Sequence, residues 1–311
     1  MNGVLHYFLL TCLSIEFILG NVGNAFTVLV NIMDWIKRRQ ISFIDKIFTA
    51  LAISRIGFLW TLITSLLVRI LHPDLIMTRR VVRNINVSWT VTNHFSIWLA
   101  TCLSIFYFLK IGIFSNSIFH IRWKVKRVVS MTLLASLLII FLNILVVNKC
   151  VDVWIDIHQA NISYSAILDN SNAVAKLILL INTMFTLIPF TVSLAMFLLF
   201  IFSLWRHLKN MQHSAKGSRD ISTAAHIKAL QMVVTFLLLY TLFFLSLLLQ
   251  FCKAEFMKKD SVTLLFWVIE VSFPSCHSYV LILGNTKLRQ AFLSIAWWLR
   301  HRINDAKPSD S

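Results

Sequence analysis

Residues 128–148 read VVSMTLLASLLIIFLNILVVN, an apolar stretch of 21 residues that contains no charged side chain. As an α-helix it would extend about 32 Å at 1.5 Å per residue, enough to cross the ~30 Å hydrocarbon core of a bilayer. The basic segment RWKVKR precedes it at 122–127. Since lipid offers the backbone no hydrogen-bond partners, such a stretch predicts a transmembrane helix.

Six further apolar stretches predict helices near 5–33, 47–71, 86–110, 177–205, 229–251 and 263–284. Hydrophobic residues make up 58% of the chain and charged residues 14%, against about half and a quarter in soluble domains. With 7 Gly, 4 Pro and no low-complexity linker, the sequence predicts a single domain over 1–311 with a short cytoplasmic tail at 285–311. We therefore predict an all-α membrane protein, a bundle of seven transmembrane helices.

The distribution of Lys and Arg predicts the orientation. Eighteen of them fall after helices one, three and five or in the tail, whereas eight fall in the connections on the other side. The positive-inside rule places the first set in the cytoplasm. The amino terminus is then extracellular and the carboxyl terminus cytoplasmic, and the net charge of +16 needs no nucleic-acid partner.

Two glycosylation sequons agree with this orientation. They begin at Asn86 and Asn161, both on the predicted outer side. Asn161, in the long connection after helix four, is the more accessible acceptor, whereas Asn86 lies close to a helix start. The first apolar stretch has no basic flank and no small-residue cleavage site, so we expect it to stay as a membrane anchor.

The five cysteines are scattered without metal-ligand spacing. Free thiols are the expected state, and a bridge between Cys150 and Cys252 is the alternative. No metal or other cofactor is expected.

Ionisable residues inside the predicted helices need a partner, water or a function, because a charge there costs about 2.5–3.5 kcal/mol on insertion scales. They are Glu16, Arg55, His94, Glu270 and His277, with the uncharged companions Asn24, Asn31, Asn93 and Asn182. For Arg55 we expect hydrogen bonds to Asn24, Ser278 or helix carbonyls, with a role in switching as the alternative. Glu16 either pairs within the bundle or faces a cavity.

The predicted third and seventh helices carry the candidate ligand contacts. Trp89 and Asn93 share a helix face that offers a stacking surface and an amide, and His94 follows directly. The alternative for Trp89 is an aromatic anchor at the membrane interface. Glu270 lies in the middle of helix seven, where a carboxylate facing a cavity would attract cationic or hydrogen-bonding ligands.

Two local features concern helix shape. Pro189 and Pro274 fall inside helices five and seven, where proline removes a backbone hydrogen bond and favours a kink. Residues 288–303 place apolar side chains at helical spacing beside Arg289, Arg300 and Arg302. This pattern predicts an amphipathic helix on the inner leaflet, where the basic residues contact lipid headgroups.

Other function classes find little support. The sequence contains no P-loop, no His-Glu-x-x-His pair and no Gly-x-Ser-x-Gly elbow, so an enzyme is not expected. Helix seven lacks the lysine that retinal would need. A transporter would show repeated halves and several charges at mid-depth. The residues alone thus favour a receptor, with a transporter or another seven-helix membrane protein as the alternative.

Several stretches together resemble the bitter taste receptor family (type 2 taste receptors), a family of G-protein-coupled receptors. They include IEFILGNVGN at 15–24, LAISRI at 51–56, FYFLKI at 106–111, PFTVSL at 189–194 and, most specifically, PSCHSYVLILGN at 274–285. The rhodopsin-like Asp-Arg-Tyr and Asn-Pro-x-x-Tyr motifs are missing, as they are in this family. The resemblance implies a plasma-membrane receptor for bitter small molecules that activates a gustducin-type heterotrimeric G protein with its βγ subunits, and thereby phospholipase C and calcium signalling.

The resemblance also implies roles for individual residues. The expected ligand contacts are Trp89, Asn93, His94, Tyr240, Trp267 and Glu270. The expected G-protein contacts are Tyr107, Lys110, His207, Met211 and His226. An inter-helix polar core is expected at Asn24, Arg55 and Ser278, and glycosylation at Asn161.

Overall fold

The computed structural model describes residues 2–72, 75, 78–112, 118–159, 164–212, 219–252 and 260–305. These residues form eight α-helices and no strand: α1 (Asn2–Arg38), α2 (Phe43–Leu71), α3 (Arg79–Gly112), α4 (Ile118–Gln159), α5 (Tyr164–Gln212), α6 (Arg219–Cys252), α7 (Asp260–Gly284) and α8 (Thr286–Asp305). The all-helical class predicted from the sequence is confirmed.

Each predicted helix lies inside one observed helix, and the observed helices are longer. Ion pairs at the ends of α3 and α4 explain part of the difference. Arg79 pairs with Asp156 at 2.5 Å and with Asp152 at 3.5 Å, and Arg83 also pairs with Asp152. Ion pairs are solvated by water outside the hydrocarbon core of the bilayer. The helices therefore continue beyond the apolar stretches from which they were predicted.

Six helices in the described part of the chain are long and apolar enough to cross a membrane: α1 to α5 and α7. In α6 the described apolar stretch is shorter, Val234–Gln250, which at 1.5 Å per residue extends about 26 Å. The protein is thus a multi-pass helical membrane protein, and the crossing of α6 remains a prediction.

Local capping determines where the chain turns. Arg39 adopts a left-handed conformation (φ 50°) and ends α1, and Ser42 begins α2 by accepting a hydrogen bond from the Asp45 amide at 3.1 Å. Asn285 separates α7 from α8 because its Oδ1 accepts from the amides of Lys287 and Leu288 at 3.0 and 3.2 Å. The predicted amphipathic helix at 288–303 is confirmed as α8.

The helix order around the bundle makes α3 central. It packs against α2, α4, α5 and α6, while α1 packs against α2 and α7. We call the end of the bundle that holds Asp34, Asp45 and Lys287 the inner end and the opposite end the outer end, following the predicted orientation. Along α4, Leu134, Leu138 and Phe141 remain exposed, as expected of side chains that face lipid.

The α1–α7 interface is tightly packed. A Cβ atom added at Gly20 would lie 2.3 Å from Ser275 Oγ, and one added at Gly23 would lie 2.8 Å from Ser278 Oγ. Glycine therefore permits a close backbone approach there, as small residues do in membrane helix pairs. Ser275 Oγ donates to the Glu16 carbonyl at 3.0 Å, and Asn24 Nδ2 donates to the Gly20 carbonyl at 2.7 Å.

Both prolines lie inside helices, as predicted: α5 runs through Pro189 and α7 through Pro274. Cys12, Cys102, Cys150 and Cys276 are free thiols. Because Cys150 is free, the structure favours the free-thiol interpretation over the Cys150–Cys252 bridge.

Candidate ligand-binding site

A small polar cavity lies in the membrane-spanning part of the bundle between α3, α4 and α5. The polar side chains that line it are Thr90, Asn93 and His94 from α3, Asn143 from α4, and Asn182 and Thr186 from α5. All six are buried. The volume of the cavity is about 10 Å³, roughly the space that one water molecule needs.

Hydrogen bonds across this cavity join the three helices. Asn182 Oδ1 accepts from Asn143 Nδ2 at 3.3 Å and from Thr90 Oγ1 at 3.5 Å. Both distances are long for hydrogen bonds between neutral groups. The three helices are therefore held together by weak contacts at this depth.

One turn towards the inner end, α3 and α5 are held more firmly. The hydroxyl groups of Thr101 and Ser193 lie 2.9 Å apart, and Thr101 Oγ1 also donates to the Pro189 carbonyl at 3.4 Å. Pro189 itself lines the cavity. The Thr101–Ser193 contact thus joins α3 to α5 on the inner side of the cavity lining.

Of the predicted ligand contacts, Asn93 and His94 line this cavity. Trp89 lies one turn away on α3, where its ring is 6.3 Å from the Phe58 ring. Tyr240 is fully buried on α6, and its hydroxyl donates to the Thr186 carbonyl at 3.2 Å. Tyr240 therefore adjoins the cavity through Thr186, a residue of its lining.

The other two predicted contacts point to different parts of the bundle. Glu270 is buried between α6 and α7 and accepts a hydrogen bond from Gln250 Nε2. Trp267 lines a separate small gap with Leu13 and Leu59 on the side of α1 and α2. In this conformation the structure does not bring Trp89, Tyr240 and Trp267 together around one cavity.

An aromatic cluster continues from Tyr240 towards the inner half of the bundle. The Tyr240 ring is 5.2 Å from Phe190 and 5.5 Å from Phe273. Phe236 and Phe273 then lie 4.8 and 5.8 Å from the His277 ring. Contacts of side chains thus run without a break from α5 through α6 to the middle of α7.

Arg55 lies at the end of this cluster and is completely buried. Its Nη2 atom forms a hydrogen bond with His277 Nδ1, and its guanidinium carbon is 5.7 Å from the Phe273 ring centroid. The predicted partners were wrong: Asn24 donates to the Gly20 and Pro274 carbonyls, and Ser278 donates to the Ser275 carbonyl. The sequence identifies His277 only as an ionisable group within the membrane.

Glu16 pairs within the bundle, one of the two predicted alternatives. Its Oε1 atom accepts from Ser272 Oγ at 2.8 Å. This bond adds to the polar contacts between α1 and α7.

An ion-pair cluster at the inner end was not predicted as a site. Lys287 Nζ lies 2.9 Å from Asp34 Oδ2 and 3.1 Å from Asp45 Oδ2, and Arg38 pairs with Asp34 at 2.8 Å. It ties α8 to α1 and α2. Asp34 and Asp45 lie beside the inner ends of apolar stretches in the sequence, and their position was the signal that could have indicated this cluster.

The predicted G-protein contacts are only partly described. Tyr107 is half-buried near the inner end of α3, with its ring 6.0 Å from Phe106. The side chains of Lys110, His207, Met211 and His226 lie outside the described part of the chain, as does Asn161. Asn86 is described, and its amide nitrogen donates to the Val82 carbonyl at 2.9 Å.

Comparisons with known proteins all match taste receptor proteins. A family model described as taste receptor protein (TAS2R) matches residues 1–300. The chain is 59% identical to taste receptor type 2 member 140 of Rattus norvegicus over 302 residues, which cover 97% of each chain. It is 55% identical to member 125 of the same species, over 94% of each chain. It is also 48% identical to member 14 of Macaca mulatta, over 99% of this chain and 97% of that one.

Proposed function

Because the chain belongs to the taste receptor (TAS2R) family of G-protein-coupled receptors, we propose that it binds bitter small molecules within the bundle and activates a gustducin-type heterotrimeric G protein. Family membership makes it a bitter taste receptor rather than an enzyme. The proposal concerns the location of the pocket, the route from pocket to G protein, and the signal through phospholipase C and calcium.

The observation that carries the proposal is the chain of contacts from the polar cavity to Arg55. Thr186 lines the cavity and accepts from Tyr240, whose ring contacts Phe273; Phe273 in turn contacts His277. His277 bonds to Arg55. A change in the position of α5 at the cavity is therefore proposed to shift Arg55 and His277, the side chains that join α2 to α7. Buried aromatic clusters transmit such shifts because packed interiors are dense.

The cavity must widen when an agonist binds. Pockets for drug-sized ligands have volumes of about 300–1,000 Å³, whereas this cavity has a volume of about 10 Å³. The weak Asn143–Asn182 and Thr90–Asn182 contacts are the ones that separate first. In this view the structure corresponds to the agonist-free, closed arrangement of α3, α4 and α5.

Activation then follows as a population shift. An agonist that binds the widened state more tightly than the closed state raises the population of the widened state by its differential affinity. Each factor of ten requires about 1.4 kcal/mol. Contacts of apolar surfaces with Trp89, Trp98 and the aromatic cluster supply this energy without strict geometry, so chemically unrelated agonists are accepted.

The inner end is proposed to carry the G-protein surface. Tyr107 on α3 is expected to contact the G protein together with Lys110, His207, Met211 and His226. Exposed Trp297 and Trp298 on α8 face away from the bundle beside Arg300 and Arg302. This helix is proposed to lie on the inner leaflet and bind anionic lipid headgroups, as basic amphipathic helices do.

The remaining parts of the proposal concern topology. The chain is proposed to form one seven-transmembrane domain over 1–311 in the plasma membrane, with the amino terminus outside. Asn161 is proposed as the glycosylated residue. Asn86 is a poorer acceptor because its amide nitrogen is bound to the Val82 carbonyl.

Calcium release in cells that express the chain with a promiscuous G-protein chimera tests the function. A panel of bitter compounds is applied with and without the chimera, and surface expression is measured in parallel. The proposal expects responses that require the chimera. Calcium release that is independent of the chimera in responding cells would contradict coupling through a heterotrimeric G protein.

A further inference from the structure

The first half of α8 packs against the bundle, and the second half extends away from it. Leu288 is buried, and the Phe292 ring lies 6.0 Å from the Phe26 ring on α1. Every side chain at 293–302 is exposed. Ten consecutive residues make almost three helical turns. This exposed half of α8 therefore presents its whole circumference to lipid, water or a partner.

The exposed half of α8 carries two apolar strips on nearly opposite sides. Leu293 and Trp297, four residues apart, share one side, and Ile295 and Leu299 share another. At 3.6 residues per turn, residues two apart lie about 160° from each other around the helix. These four side chains are between 46% and 65% exposed. A helix on a flat leaflet buries one apolar side, so the second strip needs a different partner.

Positive charge accompanies the two strips. Residues 286–304 contain no Asp or Glu, whereas Arg300, His301 and Arg302 lie in the last turns of α8. The guanidinium carbon of Arg302 is 4.8 Å from the Trp298 ring centroid. Neither arginine forms an ion pair with another described residue. The exposed half of α8 is thus complementary to an acidic partner with large apolar pockets.

We propose that the exposed half of α8 binds an acidic, two-lobed calcium sensor of the calmodulin type in its calcium-loaded form. Calcium opens an apolar groove in each lobe of such a protein. These grooves take basic amphipathic helices through apolar anchors at helical spacing. Two lobes that close around one helix bury both strips, which a flat leaflet cannot do.

The timing of this contact rests on the proposed function, because calcium release is the signal proposed there. The calcium that an agonist releases would load the sensor next to the receptor. The loaded sensor then withdraws α8 from the inner leaflet, as it does with other basic segments that bind anionic lipid. Residues 285–311 contain no cysteine for a covalent lipid anchor, so the lipid contact of α8 is reversible.

The experiment measures the binding of dye-labelled calmodulin to the purified full-length receptor in phosphatidylcholine nanodiscs, with calcium or with a calcium chelator. Trp297→Ala and Leu299→Ala each shorten one strip. Trp35→Ala on α1 and Leu138→Ala on α4 are the matched controls, because these side chains are also exposed, at 52% and 63%. A second set of nanodiscs contains phosphatidylserine and measures competition by anionic lipid.

We expect binding only with calcium. The dissociation constant should rise about thirtyfold in Trp297→Ala and about tenfold in Leu299→Ala, since buried apolar anchors contribute most of the affinity. Both controls should bind like the native receptor. Phosphatidylserine should weaken binding, because its headgroups attract the same arginine side chains.

Three results would overturn the inference: no binding with calcium, equal binding with the chelator, or an equal loss in strip variants and controls. Absence of binding in both kinds of nanodisc would leave α8 as a lipid-binding helix alone. Neither agonist nor G protein enters this measurement. Calmodulin binding by a receptor that releases no calcium in cells would therefore support the partner and count against the proposed coupling. Calcium release without calmodulin binding would reject only the partner.

Discussion

The α1–α7 interface and the α3–α4–α5 cavity lie in the same bundle and differ in how their polar groups are used. Between α1 and α7, glycines allow close packing, and Ser272 Oγ and Ser275 Oγ donate to Glu16 Oε1 and to the Glu16 carbonyl at 2.8 and 3.0 Å. Around the cavity the contacts between helices are longer, 3.3 and 3.5 Å, while buried atoms without a partner among the described residues occur in both regions: Glu16 Oε2 on α1, and His94 Nε2 and Asn143 Oδ1 at the cavity. The first region is built to stay closed. The second has the features of a site at which a ligand replaces weak internal contacts.

The largest effect is expected from breaking the close-packed side. Gly20→Leu puts a side chain where Ser275 Oγ lies 2.3 Å and Leu59 Cδ1 2.9 Å from the new Cβ. Overpacking of this kind costs about 3 kcal/mol or more when backbones must separate. We expect surface expression to fall severely. Gly3→Leu is the matched control, because a Cβ at Gly3 meets no atom within 4 Å; equal expression of the two variants would contradict the close approach.

A smaller effect is expected from His277→Phe, which leaves Arg55 buried without its partner while an aromatic ring still faces Phe236. An unsatisfied buried group that can carry charge costs about 3 kcal/mol. We expect a clear fall in the unfolding temperature of the purified receptor. Adding Arg55→Met to this variant should recover part of the loss, because the unpaired group is then gone. A double variant less stable than the single one would argue against the pair.

Two tyrosine hydroxyl groups allow a direct comparison of the regions. Tyr240→Phe removes a bond to the Thr186 carbonyl beside the cavity, and Tyr279→Phe removes a bond to the Leu19 carbonyl between α1 and α7. Each is worth about 1 kcal/mol. We expect agonist potency to change about fivefold in Tyr240→Phe and to stay the same in Tyr279→Phe. Equal potency changes in calcium release would mean that Tyr240 does not report occupancy.

The smallest effect is expected at the inner end. Lys287→Met removes the ion pairs to Asp34 and Asp45, which are partly exposed and therefore screened by solvent. The loss of stability should be about 0.5–1 kcal/mol and should appear as a small decrease in unfolding temperature. Because salt screens the same ion pairs, high salt should reduce the difference in unfolding temperature between the native chain and the variant. Lys37→Met, at an exposed position of α1, is the control and should change nothing. An equal decrease in both variants would exclude a contribution from this cluster.

The helices were predictable because their cause is local. An uncharged run such as 128–148 has only one conformation that satisfies its backbone in lipid, and α8 follows from apolar spacing within its own 20 residues. Because the prediction of each helix uses only its own stretch of sequence, it missed the ends of the helices. Arg79 and Asp156 extend α3 and α4 by a contact between helices, which no single stretch reveals.

The site was predictable only where the family resemblance or a helix face indicated it. Asn93 and His94 lie in the bundle interior, and their role as ligand contacts stays a prediction. The direction of Trp267 depends on the rotation of α7 against α1 and α2. The Arg55 partner depends on the packing of α7 as well. Asn143 was missed, although an amide in the middle of an otherwise apolar 21-residue stretch is a signal for an internal hydrogen bond.

The central claim is that α3 and α5 must separate at the cavity for an agonist to act, and a reversible cross-link tests it most directly. Thr90 and Asn182, whose side-chain oxygen atoms are 3.5 Å apart at the cavity, are both replaced by cysteine, and calcium responses are recorded before and after a reducing agent. We predict that the cross-linked receptor, with the disulfide verified by mass spectrometry, is silent and that reduction restores its response. A full agonist response with the disulfide intact would contradict the claim.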